Sequence, residues 1–122
     1  MATVPLELLL VDKDEAARDF VRCLLAARHT VREADRGQTA LKLARLYCPD
    51  CVLLDGQLPN SEMLIQTWSA AHIPVIVLTG EPSPQAVVEA MAQGAQDYLL
   101  KDQLSTGLLE QTIADAQANV KG

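Results

Sequence analysis

The chain has 122 residues, 49% of them hydrophobic and 21% charged, which predicts one globular domain over residues 1–122 with its core within about 6–120. Its net charge of −6 argues against nucleic-acid binding or attachment to anionic lipid, and no apolar run is long enough to span a membrane. The start lacks the basic region of a signal peptide, so we expect a cytoplasmic location.

Strand-like and helix-like patterns alternate five times along the chain. Short apolar runs bounded by turn residues indicate buried parallel strands, and apolar residues spaced by three and four indicate amphipathic helices. The predicted strands cover residues 6–11, 29–34, 51–55, 74–79 and 97–100. The predicted helices cover residues 14–28, 37–48, 62–71, 84–93 and 104–120. The second strand alternates loosely, so we expect it near an edge of the sheet.

The ends and buried faces of the helices follow from individual residues. Ser61 is the expected cap of the third helix, and Ser83 followed by Pro84 is a start signal for the fourth, which Gly94 ends. The apolar stripes that we expect to be buried are Ala17, Phe20, Val21, Leu24 and Leu25 in the first helix, Ala40, Leu41, Ala44 and Leu46 in the second, and Leu64, Ile65 and Trp68 in the third.

This rhythm predicts an α/β fold with a doubly wound parallel sheet, because right-handed crossovers place helices on both faces. The sequence does not show directly which strands are neighbours. If the order is 2-1-3-4-5, the topological switch point lies between the first and third strands, and Asp12 and Asp55 would meet there.

Four strands lead into a chemically distinctive residue: Asp12, Asp55, Thr79 and Lys101. The carboxyl ends of parallel strands share one rim, so these side chains should lie together. One carboxylate can act as a nucleophile while the other helps to hold Mg²⁺, and the ammonium and hydroxyl groups can neutralise transferred oxygens. The set therefore favours phosphoryl transfer.

Over nearly its whole length the chain resembles the receiver domains of two-component response regulators. The matching stretches are Leu9–Asp12, Val52–Asp55 with Leu58–Pro59, Val77–Gly80 and Gly94–Lys101. The resemblance implies a flavodoxin-like (βα)5 fold with strand order 2-1-3-4-5. It also implies a signalling domain that is not an enzyme beyond its own phosphorylation and dephosphorylation.

The resemblance further implies roles for individual residues. Asp55 would be the phosphoacceptor, Thr79 and Lys101 the phosphate-sensing pair, and Tyr98 the aromatic residue of the switch. A histidine kinase or histidine phosphotransfer protein would donate the phosphoryl group to this domain. The output surface would be the fourth helix, fifth strand and fifth helix, about residues 84–120, facing a downstream protein or a fused output domain.

A homodimer through the fourth and fifth helices is a further option. Its face would comprise Val87, Val88, Met91, Leu108 and Leu109.

By the same resemblance, Asp12, Asp55 and the backbone carbonyl of Gln57 would bind Mg²⁺. The family usually has a second acid directly after the first, and here that residue is Lys13. Asp12, Asp55, Lys13 and Lys101 then sum to zero charge without a metal. We therefore expect weakened Mg²⁺ binding and phosphorylation with Lys13 partly replacing the ion, unless its ammonium turns into water or Asp14 serves as a ligand.

Three alternatives remain. The first is a receiver-like interaction module that no longer accepts phosphate. The second is a haloacid-dehalogenase-like phosphatase with Asp12 as nucleophile and Asp14 as general acid, although Glu15 and Ala16 stand where that family has Gly-Thr. The third is a flavin-binding module, which the acidic loop after the first strand disfavours. Cys48 and Cys51 have C-x-x-C spacing, but a tight turn explains them better than a redox or zinc site.

Overall fold

Strands and helices alternate strictly in the computed structural model, which describes residues 4–81 and 83–121. The strands are β1 (Glu7–Val11), β2 (Thr30–Ala34), β3 (Cys51–Asp55), β4 (Val75–Thr79) and β5 (Asp97–Leu100). The helices are α1 (Glu15–Leu25), α2 (Gly37–Tyr47), α3 (Ser61–Ala70), α4 (Pro84–Gln93) and α5 (Thr106–Lys121). A short 3-10 turn, Lys101–Gln103, follows β5. No helix among these described residues is long and apolar enough to cross a membrane.

All five strands are parallel and lie in the order β2-β1-β3-β4-β5, which confirms the predicted flavodoxin-like topology. The register pairs Val11 with Leu54, Asp55 with Leu78 and Thr79 with Leu100. The ends of β1, β3 and β4 therefore lie side by side. β2 is at an edge, as the loose alternation of its sequence predicts.

Alternate side chains of the strands point to opposite faces of the sheet and form two separate cores. On one face, Leu9, Val52 and Val77 pack with buried residues of α2, α3 and α4. On the other, Leu10 and Leu53 pack with residues of α1 and α5. β3 and β4 are buried along their full length, which explains why their sequences are continuous apolar runs.

Two residues of the predicted apolar stripes are exposed, so their predicted burial is wrong. Phe20 is 50% exposed and Leu46 is 72% exposed. The buried residues of α1 are Val21 and Leu25, and each residue turns the helix by about 100°, which rotates Phe20 away from the sheet. Leu46 lies about 200° around α2 from the buried Ala44. Leu64, Ile65 and Trp68 are buried as predicted.

The predicted starts of α3 and α4 have different outcomes. Ser61 is the first residue of α3 rather than its cap, and its hydroxyl donates to the backbone carbonyl of Gly56 at 3.3 Å. Asn60 precedes it in the left-handed region at φ 64°. Ser83 does cap α4, because its Oγ accepts from the backbone N–H of Ala86 at 3.4 Å.

The two cysteines of the C-x-x-C sequence lie in different environments. Cys48 is exposed at the end of α2 in a left-handed conformation, whereas Cys51 is fully buried in β3. Burial raises the pKa of the Cys51 thiol to about 12, so it stays protonated and a poor nucleophile or ligand. This environment supports the turn interpretation.

The edge strand β2 carries ion pairs along its length. The Nε of Arg32 lies 3.1 Å from a carboxylate oxygen of Glu7 on β1, and its guanidinium stacks 3.4 Å above the ring of Tyr47. The carboxylate of Glu33 pairs with Arg18 at 3.1 Å and with Arg22 at 2.6 Å, both on α1.

A buried histidine ties α5 to the start of β2. His29 Nδ1 accepts the backbone N–H of Leu6 at 3.0 Å, and its Nε2 lies 2.5 Å from Glu110 Oε1 on α5. Since Nδ1 is the acceptor, the ring hydrogen on Nε2 points to Glu110. This contact joins residues 81 positions apart, and no pattern in the sequence indicates it.

We expect Gly94→Ala to lower the free energy of unfolding by about 1–3 kcal/mol. Gly94 ends α4 at φ 116°, and a Cβ there would lie 2.4 Å from Ser69 Oγ. Gly107→Ala is the matched control, since nothing lies within 4 Å of its Cβ position in α5. Alanine there should raise stability by roughly 0.5 kcal/mol. Urea denaturation of both variants measures the difference, and equal stabilities would contradict the prediction.

Candidate functional site

The carboxyl ends of the strands bring three of the predicted residues into contact. Lys101 Nζ, at the end of β5, lies 2.6 Å from Asp12 Oδ2 and 3.5 Å from Asp55 Oδ1. Both acids are almost fully buried, at 4% exposure, and Lys101 reaches them from the rim. One ammonium therefore bridges two carboxylates that stand on neighbouring strands, which leaves this group with one net negative charge.

Backbone and side-chain donors fix Asp12 in place. Its Oδ1 accepts the backbone N–H of Asp14 at 2.9 Å, and its backbone N–H donates to the carbonyl of Ala34 at 3.0 Å. Arg18 donates from Nη1 to the backbone carbonyl of Asp12 at 2.7 Å. Arg18 thus positions the loop after β1. The sequence offered no signal for this role, because Arg18 is an ordinary polar position of an amphipathic helix.

Asp55 has one engaged oxygen and one available oxygen. Oδ1 accepts the backbone N–H of Gln57 at 3.1 Å, while Oδ2 receives no hydrogen bond from the described residues. Burial raises the pKa of Asp55 and the charge of Asp12 adds to the shift, against the opposing effects of the Gln57 N–H and Lys101. Oδ2 is therefore a carboxylate oxygen free to act as a nucleophile.

The loop behind Asp55 lies tightly against β4. The backbone N–H of Gly56 donates to the carbonyl of Leu78 at 3.0 Å. A Cβ at residue 56 would lie 2.8 Å from Val77 Cγ1, so a larger residue would require the Val77 side chain or the loop to shift. This packing holds the loop after Asp55 against the sheet.

Lys101 remains charged in this environment. Burial alone lowers its pKa, but the hydrogen bond to Asp12 and the charges of Asp55 and Asp12 outweigh burial, so its pKa is raised. A cation held between two carboxylates can also exchange one of these contacts for a contact with a third anionic group placed next to them.

Thr79 and Tyr98 lie on the neighbouring strands. Thr79 is 1% exposed at the end of β4, and its Oγ1 accepts the backbone N–H of Glu81 at 3.2 Å and donates to the Glu81 carbonyl at 3.4 Å. Among the described residues, no hydrogen bond joins Thr79 to Asp12 or Asp55. Tyr98 is half-buried on β5, where it packs against the core beneath α2, α3 and α4.

The Lys13 ammonium does not lie between Asp12 and Asp55, where the sequence predicts that it replaces part of the charge of the metal ion. Its side chain is exposed, and it forms no ion pair with the described acids. The cation between the carboxylates is Lys101 instead. Asp14 is committed elsewhere, because its Oδ1 caps α1 by accepting the N–H of Ala16 at 3.1 Å. The chain direction after β1 explains both findings, since residues 13 and 14 turn outward to begin the helix.

The donor set fits a magnesium ion in type. Two carboxylates, from Asp12 and Asp55, and the backbone carbonyl of Gln57 are hard oxygen ligands, and Mg²⁺ fills its remaining positions with water. In the described part of the chain, no cluster of three or more His, Cys, Asp or Glu side chains is grouped for a metal. Such a site would thus have fewer charged ligands than one with a third acid.

We expect Asp55→Asn to raise the free energy of unfolding at pH 7 in the absence of divalent ions. Because the pKa of Asp55 is raised by folding, its contribution to stability is present below the unfolded pKa and is lost as pH rises through the folded pKa. The gain should therefore shrink toward about pH 4. Urea denaturation at both pH values tests this, with the exposed Asp102→Asn as control. An asparagine variant less stable at pH 7 would contradict it.

Comparison with known proteins shows the family of this chain. The family model for the response regulator receiver domain matches residues 8–113. A gliding motility regulatory protein of Myxococcus xanthus is 34% identical over 115 residues, which cover 88% of this chain and 15% of that protein. The transcriptional regulatory protein YdfI of Bacillus subtilis is 29% identical over 120 residues, which cover 93% of this chain and 56% of that protein. The chain thus spans only part of the length of these relatives.

Solved structures show the same fold. A response regulator receiver domain protein from Clostridium thermocellum superposes with a TM-score of 0.82 at 24% identity, covering 94% of this chain and 96% of that one. The signal receiver domain of an HD domain-containing protein from Pseudomonas fluorescens has a TM-score of 0.83 at 25% identity and covers 98% of both chains. The chain therefore belongs to the receiver domains of response regulators.

Proposed function

We propose that this domain accepts a phosphoryl group on Asp55 from a histidine kinase or histidine phosphotransfer protein. The observation that carries the proposal is the geometry around Asp55. Its Oδ2 is free of hydrogen bonds from the described residues, while Lys101 holds Oδ1 and Asp12 at 3.5 Å and 2.6 Å. An acceptor oxygen beside a cation is the arrangement that phosphoryl transfer requires.

In the transfer step, Oδ2 of Asp55 attacks phosphorus and the bond from phosphorus to the donor's imidazole nitrogen breaks. The product is an acyl phosphate on Asp55, and the bonding electrons leave with the imidazole. The Lys101 ammonium then exchanges its contact with one carboxylate oxygen for a contact with a phosphoryl oxygen. A magnesium ion held by Asp12, Asp55 and the Gln57 carbonyl would supply neutralisation of the phosphoryl oxygens when bound.

Thr79 can couple phosphorylation of Asp55 to a conformational change at the surface of the domain. Its hydroxyl now bonds the backbone of Glu81 in the loop before α4. Redirecting that hydroxyl to a phosphoryl oxygen frees this loop, and Tyr98 on the adjacent strand can then repack. We therefore assign Thr79 and Tyr98 to the switch and Asp55, Thr79 and Lys101 to phosphate binding.

The exposure of apolar side chains on α4 and α5 supports an output surface there. Val88, Met91 and Leu108 are 68%, 44% and 38% exposed, so they can contact a downstream protein, a fused output domain or a second copy. Leu109 is fully buried in the core and does not belong to this face, which corrects its inclusion in the predicted dimer surface.

Incubation with acetyl phosphate and Mg²⁺, followed by intact mass measurement, tests the proposal. We expect a gain equal to one phosphoryl group in the wild type and none in Asp55→Ala. Beryllium fluoride with Mg²⁺ should shift the amide resonances of Thr79 and Tyr98 in the same comparison. A phosphoryl group found on another residue would overturn the assignment.

A second candidate is an interaction module that works without phosphate. The observation that favours it is Lys13, which stands exposed at the position of an acid, with Lys101 already bridging both carboxylates. The same experiment separates the two functions. No mass gain from acetyl phosphate or a phosphorylated phosphotransfer protein, and no response to beryllium fluoride, would support the module.

A further inference from the structure

A groove lies between α2 and α3, away from Asp55. It has a volume of about 950 Å³. Its exposed apolar surface comes from the half-buried Leu41 on α2 and Ile73 before β4, and the almost fully buried Ala44 and Trp68 also line it. A smaller cavity of about 260 Å³ shares Leu41 and continues along the helices to Met63, which is 45% exposed. The two cavities share Arg36, Gln38 and Leu41, and we call them together the α2–α3 groove.

The rim of this groove is basic in an acidic protein. Arg36, Lys42 and Arg45 line it, and none of its described lining residues is an acid. The chain as a whole has 16 acids against 10 lysines and arginines. Three of those ten cations therefore lie around one apolar surface, where they can attract an anionic partner.

Two of the three cations are available. Arg36 pairs with its neighbour Asp35 at 3.0 Å, which partly neutralises it. Lys42 and Arg45 are exposed and form no ion pair with the described acids. They are three residues apart, so both lie on one side of α2 and flank the same stretch of the groove.

The shape of the groove favours a helical segment over a small ligand. Small-molecule sites enclose most of their ligand. This groove is open to solvent, and α2, with its 11 residues, spans about 16 Å along one side of it. A helical wall of that length suits an amphipathic helix, whose apolar face lies in the groove while its polar residues meet the rim.

We propose that the α2–α3 groove binds an acidic amphipathic helix of a partner protein. Leucine-like side chains would contact Leu41 and Ile73, close to the buried Trp68, and glutamates along the helix edge would pair with Lys42 and Arg45. This inference goes beyond phosphoryl transfer and uses a different surface from α4, β5 and α5. Binding can therefore be measured whether or not Asp55 is phosphorylated.

The chain carries its own reporter for this test. Trp68 is its one tryptophan and lies in the floor of the groove. The probe is a synthetic helical peptide of about 16 residues, long enough to match the groove, with leucines at i, i+3, i+4 and i+7 and glutamates on the flanking positions. Its counterpart has the same leucines with lysines in place of the glutamates.

We expect the glutamate peptide to change Trp68 fluorescence and to bind at least about tenfold more tightly than the lysine peptide. Lys42→Ala with Arg45→Ala should weaken its binding by about tenfold or more. The control is Ala114→Glu with Ala118→Glu, which changes the net charge equally on exposed positions of α5 and should leave binding unchanged. Amide shift mapping should place the peptide on α2 and α3.

Four results of the peptide experiments would overturn the proposal. They are the absence of binding, equal binding of both peptides, equal weakening in the groove and control variants, and shifts centred on α4 and α5. Binding of a small amphiphile such as decanoate in the groove without any peptide binding would replace the helix with a small anionic ligand and would also overturn it.

Discussion

We expect Lys13→Asp to raise the affinity for Mg²⁺ by at least about tenfold and to speed phosphoryl uptake from acetyl phosphate. The substitution places a third carboxylate directly after Asp12. It changes the summed charge of the side chains at positions 12, 13, 55 and 101 from zero to −2. Calorimetric titration with Mg²⁺ measures the affinity, and intact mass against time measures the uptake.

Lys42→Asp is the matched control for this prediction. It makes the same change in net charge on an exposed lysine of α2, away from the two carboxylates. Its Mg²⁺ affinity should equal that of the wild type. If Lys13→Asp and Lys42→Asp bind Mg²⁺ equally well, the position of Lys13 has no part in limiting the metal. The weakened binding expected from the sequence would then need another cause.

The second large effect is expected for Lys101→Met, which should lower the free energy of unfolding at pH 7 by about 3 kcal/mol without divalent ions. Lys101 is the cation paired with both Asp12 and Asp55, which are each 4% exposed. Removing the ammonium leaves two buried carboxylates facing each other without a cation. Urea denaturation monitored by Trp68 fluorescence measures the loss.

Magnesium should then stabilise Lys101→Met more than the wild type, because both carboxylates become free to bind it. The exposed Lys42→Met serves as control and should behave as the wild type in both conditions. A Lys101→Met protein that is as stable as the wild type, or that gains no more from Mg²⁺, would show that the ammonium contributes little to holding the acids.

The order of the elements was predictable because its signals are local. Continuous apolar runs predict strands buried on both faces, and β3 and β4 are buried throughout. Ser83 with Pro84 and the closing Gly94 fixed the bounds of α4. The meeting of Asp12 and Asp55 depended on strand order, and the observed neighbours β1 and β3 confirm that order.

The details of the site depended on side-chain directions that spacing alone does not determine. Lys13 and Lys101 are both lysines beside a buried acid in the folded chain, yet only Lys101 bridges the carboxylates. The outward turn into α1, with Asp14 as its cap, decides this. Arg18 reaches the backbone of Asp12 across a helical turn, which no motif marks.

Helical periodicity likewise predicts which face is apolar but not how wide the buried stripe is. Phe20 and Leu46 fit their helical patterns and are nevertheless exposed. Contacts between residues that are far apart in the sequence could not be predicted either. His29 and Glu110 are 81 positions apart, and nothing near either residue indicates the other.

The charged edge strand β2 has a consequence for how the molecule associates. Strand addition extends a sheet at a bare, flat ribbon of backbone, and charged side chains at an edge discourage it. On β2, Arg32 is held by Glu7 and Tyr47, and Glu33 by Arg18 and Arg22. An incoming strand at this border would have to disturb those contacts, so pairing with the β2 edge of a second sheet is disfavoured.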